Sequence, residues 1–215
     1  MWTSSIASNM NFPAPVAVLG FLAACGGLAL SLLAIITALF VKRPRIAKIL
    51  GQLVLAGAVV YFGLLLALSL FSHERTLARG QEKYFCEIDC HLAYSIQGVH
   101  SEPAGKSVRY LVILRTRFDE NTISSRRPKD APLEPNPRTL RLGDDRGRKF
   151  ALIAASGTPL TASLIPGQSY TTQLQFDVPT DAGSLRLLIT SRDWPQYLLI
   201  GDELSPLHAK TWLEL

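Results

Sequence analysis

Lys42-Arg43-Pro44-Arg45-Ile46-Ala47-Lys48 is a short basic stretch between two runs that hold no charged residue, Val16 to Val41 and Ile49 to Ser72. A bilayer-spanning helix needs about 20 apolar residues, and each run reaches that length. A helix lying in water keeps a polar face, which neither run has. The pattern predicts a transmembrane hairpin: one helix over 16–41, a basic loop over 42–48 and a second helix over 49–72.

Charge sets the expected orientation. Lys and Arg near membrane ends are retained in the cytoplasm. Residues 1–41 carry no Lys, Arg, Asp or Glu, whereas the connection carries Lys42, Arg43, Arg45 and Lys48. These four are the topology signal. They put the loop in the cytoplasm and both termini on the far side. Arg75, Arg79 and Lys83 follow the second helix, but they are spread out and interleaved with Glu74 and Glu82.

Residues 1–15 read as an extended N-terminal tail punctuated by Asn9, Asn11, Pro13 and Pro15, with Trp2 and Phe12 suited to a membrane interface. Gly20, Ala23, Ala24, Gly26 and Gly27 in the first helix, and Gly51, Ala56, Gly57 and Gly63 in the second, would let the two backbones approach closely. Apart from Cys25 and Tyr61 neither run holds an ionisable side chain. Ion and proton pathways use charged ones, so transporter and channel readings are disfavoured. Leu22-Ala23-Ala24-Cys25 resembles a lipobox. However, no basic segment precedes it, and the chain stays apolar to Val41.

The net charge of +5 is a property of the hairpin. All 17 acidic residues lie after Ser72 with 18 of the 22 basic ones, so the remaining 143 residues are nearly neutral. No basic patch interleaved with aromatics points to nucleic acid. That part is long enough for one domain with its own core.

Residues 73–82 read as a linker or helical continuation. From Lys83 the period is two: Tyr84, Cys86, Ile88, Cys90, Leu92, Tyr94 and Ile96 alternate with Phe85, Glu87, Asp89, His91, Ala93 and Ser95, which predicts one continuous strand. A loop is expected over 98–106, a strand over 108–118 and a polar loop over 121–137, with Arg126, Arg127 and Lys129 solvated. Thr139–Leu142 and Lys149–Ile153 flank a hairpin signal, Gly143-Asp144-Asp145-Arg146-Gly147. Tyr170–Val178 alternates cleanly. Leu185–Thr190, Tyr197–Ile200 and Lys210–Leu213 complete the expected strands. Short strands at this spacing predict an all-β sandwich over 83–215.

Leu164-Ile165-Pro166-Gly167-Gln168-Ser169, a strand ending Phe176-Asp177-Val178-Pro179, and Leu185-Arg186-Leu187 resemble the telokin-like, immunoglobulin-like domains of bacterial cell-surface proteins. Arg141 to Phe150 resembles their "Asp-x-x-Gly-x-x-Phe/Tyr" hairpin. The resemblance spans roughly residues 83–189. The 121–137 insertion and Cys86 and Cys90 stand outside the pattern. It implies an extracytoplasmic binding or scaffolding module without general catalytic residues.

Cys86-Glu87-Ile88-Asp89-Cys90-His91 is the cluster with potential chemistry. In a regular strand both thiols face the core about 13 Å apart, at about 3.3 Å per residue, beyond the reach of a disulfide. Two buried thiols are one reading. A bulge or turn at Glu87–Asp89 would permit a disulfide, which an oxidising compartment favours. Cys86, Cys90 and His91 could also bind copper or zinc. Cys-x-x-x-Cys-His is one residue longer than the usual covalent haem run. The expectation is no metal and no cofactor. His73, His100 and His208 are isolated, Asp144 and Asp145 serve the turn, and Ser156-Gly157-Thr158 has no His–Asp partner in sequence.

No catalytic signature emerges. The sequence points to a non-enzymatic scaffold or interaction protein in the cytoplasmic membrane, multi-pass, with its C-terminal domain periplasmic or extracellular. The expected partners are the lipid bilayer and an envelope protein. The alternative is an envelope thiol-redox or copper/zinc-handling protein using Cys86, Cys90 and His91.

Overall fold

The computed structural model describes residues 7–86, 89–124, 127–128 and 130–215. Trp2, Glu87, Ile88, Arg126 and Lys129, which figure in the expectations above, lie outside them. Two helices, α1 (Ala14–Phe40) and α2 (Pro44–Leu70), have 27 residues each, about 40 Å at 1.5 Å per residue. Both are long and apolar enough to cross a membrane. The turn between them is shorter than the predicted 42–48 loop, because Pro44 is preorganised for the first helical position. Arg45 and Lys48 therefore sit at the start of α2, and Lys42 takes a positive φ of 54° in the turn.

The glycine stripes are not the contact between the helices. A Cβ added at Gly20, Gly26, Gly27, Gly51, Gly57 or Gly63 would meet nothing within 4 Å. Burial occurs instead at the two ends: Ala38 and Ala47 beside the turn, and Ala14, Ala17, Leu65 and Ser69 at the opposite end.

Among the described residues the rest of the chain carries ten strands: β1 (Arg75–Leu77), β2 (Lys83–Phe85), β3 (Leu92–Ala104), β4 (Ser107–Phe118), β5 (Arg138–Gly143), β6 (Lys149–Ala151), β7 (Ala154–Gly157), β8 (Ser169–Pro179), β9 (Arg186–Ser191) and β10 (Thr211–Glu214). They make two five-stranded sheets, ordered β2-β3-β4-β8-β7 and β1-β10-β9-β5-β6. The β1–β10 pair is parallel, and the other pairs within the two sheets are antiparallel. The inner faces share one core, in which Tyr94, Leu114, Phe118, Phe176, Leu187 and Ile189 are fully enclosed. Each such side chain contributes about 1.5–3 kcal/mol relative to exposure. In β8, Thr172, Leu174, Phe176 and Val178 are the buried set, as the alternation predicts.

Four expectations are corrected. First, the 73–82 linker contains β1, held by pairing with β10. Second, the single strand from Lys83 is a hairpin, with Lys83 opposite Tyr94 and Phe85 opposite Leu92. The turn changes the phase of the alternation, so Phe85 joins Tyr94 in the core, its ring edge-on at 5.3 Å. Third, the 98–106 loop is strand. β3 runs through a bulge between Ile96 and Gly98 to Ala104, and Gly105 at φ +69° turns it into β4. Fourth, 197–200 is not a strand. Pro195 removes a donor and favours a short 3-10 turn, Trp194–Leu198.

At the hairpin signal, buried Asp144 accepts from the Arg146 and Arg148 backbone N–H groups and from the Arg148 side chain, closing the β5–β6 turn. Gly143 is required there. A Cβ would stand 2.7 Å from the Trp212 ring.

The N-terminal tail is docked rather than free. Ser8 bridges to Tyr84 and Met10 to Asp202. The Asn11 N–H donates to the Gly201 carbonyl, and its side-chain amide donates to the Leu68 carbonyl of α2. Residues 7–12 thus tie the sandwich to the helix ends opposite the basic turn.

Candidate functional site

The β2–β3 turn gathers the residues singled out in the sequence. β2 and β3 approach as hairpin arms, so Cys86 and Cys90 come within 4.1 Å between Cα atoms and are joined as a disulfide. The 13 Å separation of an extended strand does not apply once the chain reverses between them. The bonded sulfurs offer no thiolate to a metal. Cys86 is only 5% exposed, which restricts access by an exchanging thiol. Among the described residues, no three His, Cys, Asp or Glu side chains converge as a metal site.

His91 is buried and stacks on Phe118 at 5.5 Å. Burial pulls its pKa below the usual value, although nearby Asp89 opposes the shift. The neutral ring keeps its proton on Nε2, 3.2 Å from the Asp89 carboxylate, because a carboxylate can only accept. Nδ1 lies 2.7 Å from the Thr122 hydroxyl oxygen. That hydroxyl also lies 2.7 Å from the Asp119 carbonyl. The threonine proton is thus engaged in holding the loop, and the Asp–His–Thr row is a structural brace.

Beside it lies a recess of about 190 Å³, lined by Phe85, Asp89, His91, Leu133, Glu134 and Arg138, among others. Arg138 stacks over Phe85 at 4.3 Å, and Arg127 covers Phe118 at 5.4 Å. Its rim carries both signs of charge over an aromatic floor. Such a surface suits a polar, uncharged or zwitterionic segment of a partner better than a multiply charged anion.

Three polar clusters support this end of the sandwich. Lys83 is fully buried. Its ammonium donates to Glu203 at 2.8 Å and to the Ile189 and Thr211 carbonyls, which uses its three protons. Burial lowers its pKa, against the pull of Glu203. A lysine so saturated is a strut rather than a nucleophile. Asn9 donates to Asp202 at 2.9 Å and accepts the Cys86 N–H at 2.7 Å, clamping the N-terminal segment to the disulfide turn. Burial pushes the Asp202 carboxyl up to about 7. On the outer face, Arg117 pairs with Glu82 at 2.6 Å and with Asp119 at 3.2 Å, and Tyr84 donates to Asp119 at 2.6 Å. Burial opposes ionisation of Asp119, but these donors hold it down at about 2.

No family model matches the chain, and no curated protein matches it. Among solved structures, the chain is similar to an ApaG protein from Pseudomonas aeruginosa PAO1, 19% identical over 45% of this chain and 90% of that one, with a TM-score of 0.26. The sandwich is accordingly described from its own strands and register.

Sequence reasoning found Cys86, Cys90 and His91 but missed Lys83, Asn9, Asp202 and Glu203. Lys83 reads as an ordinary strand-opening charge. Its partners come from residues 189, 203 and 211. The one available signal is the adjacent acidic pair Asp202-Glu203 after Gly201 in an apolar stretch.

Proposed function

We propose that this chain is a membrane-anchored, non-enzymatic interaction protein. Its two helices cross the cytoplasmic membrane with Lys42, Arg43, Arg45 and Lys48 on the inside. They hold an immunoglobulin-like sandwich of the telokin-like type outside, where the recess beside the disulfide contacts an envelope protein. The observation that carries this reading is the shared end of the hairpin. The docked residues 7–12 and the sandwich lie together at the helix ends opposite the basic turn, which fits N-out, C-out topology. The Cys86–Cys90 disulfide supports the same side, since such bonds persist in oxidising compartments. Lipid accounts for the rows of exposed apolar side chains on both helices, among them Leu19, Leu30, Leu33, Leu53 and Leu55.

The recess is tested by photo-crosslinking in intact membranes. A photoreactive residue at exposed Glu134 is expected to give one discrete protein adduct, identified by mass spectrometry. The same residue at Lys106, on the β3–β4 turn, is expected to give none. Equal labelling at both positions, or none at Glu134, contradicts the contact surface.

A further inference from the structure

Outside the two helices and their caps, four described large apolar side chains are strongly exposed: Ile153, Trp194, Tyr197 and Leu207. Three of them fall within fourteen residues of sequence, and two hydrogen bonds join this part of the chain to α2 and the residue just past its end. The Tyr61 hydroxyl donates to the Leu198 carbonyl at 2.7 Å, and the Ala209 N–H donates to the Ser72 hydroxyl at 2.7 Å. Residues 198–209 therefore flank the last turns of α2, from Tyr61 to just past its end. Tyr61 lies nine residues before Leu70, about 13 Å down the helix axis. If the hydrocarbon begins after Lys48, its thickness of about 30 Å ends some 20 residues on, near Leu68. The Tyr61–Leu198 bond then lies below the membrane surface.

A segment at that depth must satisfy its own backbone. Much of this one is paired through a run of turns. Leu199 donates to Gln196, Asp202 to Leu199, Ser205 to Asp202 and His208 to Ser205. The Leu198 and Gly201 carbonyls are capped by Tyr61 and Asn11. The polar carboxylates of Asp202 and Glu203 face inward, 1% exposed, while Trp194, Tyr197 and Leu207 are 70%, 51% and 72% exposed. Trp194 and Tyr197 are three apart in a 3-10 turn, where such residues eclipse and share a face. Arg192 and Asp193 flank them on the exposed side. Aromatic rings beside charged residues are what the headgroup boundary favours.

We propose that the segment 193–207 is a second membrane contact, with Trp194, Tyr197 and Leu207 inserted into the phospholipid boundary beside α2. The sandwich is thereby held against the bilayer in a fixed orientation, adding to the tie made by residues 7–12. This inference rests on the membrane reading above.

The test uses the full chain in vesicles of phosphatidylcholine and phosphatidylglycerol, with and without bromine at a shallow acyl-chain position. The Trp194 signal is the difference between the wild type and Trp194→Phe, an exposed and conservative change. It is expected to be blue-shifted, to lose most of its intensity in brominated vesicles and to resist aqueous iodide. If Trp194 is quenched by iodide while the protein resists alkaline carbonate extraction, the anchor stands and the second contact is overturned. If Trp194 resists both quenchers, a protein surface covers it and the lipid contact is overturned. Release of the protein by carbonate overturns the anchor and the contact together.

Discussion

The Lys83 ammonium meets the Glu203 carboxylate at 2.8 Å with both side chains closed off from solvent, 120 residues apart in sequence. The pair binds the first strand of one sheet to the loop that precedes the last strand of the other. Breaking a buried pair strands one charge and costs about 3–5 kcal/mol, whereas apolar replacement of both partners is often near neutral. Glu203→Gln is therefore expected to lower the thermal midpoint of the detergent-solubilised protein sharply. Lys83→Met combined with Glu203→Leu is expected to recover most of the loss. Additive losses in a double-mutant cycle would mean that the pair is not coupled.

The disulfide closes a loop of only a few residues, so its expected contribution is modest, about 2 kcal/mol on the chain-entropy relation. Thiol counting on the denatured, unreduced full chain is expected to find one free thiol, Cys25, and three after reduction. Cys86→Ser with Cys90→Ser is expected to destabilise by that amount and leave the sandwich folded. Three free thiols before reduction would contradict the bond.

Asp202 predicts an unusual pH profile. Its folded pKa of about 7 stands above the ordinary value of 3.8, because burial disfavours the charge. Between about pH 4 and 7 the folded state holds a proton that the unfolded chain has released. Stability therefore falls as pH rises through this window and levels off above about 7. Asp202→Asn is expected to flatten that slope. Asp119 acts in the opposite sense: held at about 2, it loses stability only as pH falls from about 4 toward 2. Unfolding midpoints of the wild type and Asp202→Asn across pH 4–8 check the sign. Parallel profiles would place the proton elsewhere.

The parts of the fold readable in the sequence are those where one physical cause acts over many residues. The two apolar runs are uninterrupted, and β8 buries one face along its whole length, so its alternation survives in Thr172, Leu174, Phe176 and Val178. The β2–β3 hairpin was hidden because apolar residues and cysteines keep a period of two straight through its turn. Only the pairing of Phe85 with Leu92 reveals the reversal. β1 was illegible because three residues carry no periodicity and owe their strand state to β10. The candidate site was half visible. Cys86, Cys90 and His91 stand out by residue type, but Asn9, Lys83, Asp202 and Glu203 meet one another and the disulfide turn through contacts 77 to 193 residues apart in sequence.

The glycine stripes show the limit of composition as a guide. Small residues permit close helix contact, yet none of the six glycines in the two helices has a neighbour where a side chain would go. Substituting Gly26→Ala or Gly57→Ala is expected to leave the thermal midpoint of the solubilised protein within about 0.5 kcal/mol of wild type, as for surface changes generally. A loss of more than about 2 kcal/mol would restore the glycine faces as the packing surface.

The proposed topology places the two ends of the hairpin on opposite sides of the membrane. Single cysteines at Val41→Cys, in the turn, and at Lys106→Cys, on the β3–β4 turn, are introduced in a Cys25→Ala background that keeps all four basic residues and the disulfide. Right-side-out membrane vesicles are then treated with an impermeant maleimide. Lys106→Cys is predicted to label in intact vesicles, and Val41→Cys only after detergent is added. Labelling of Val41→Cys from outside, with Lys106→Cys protected until lysis, would contradict the account.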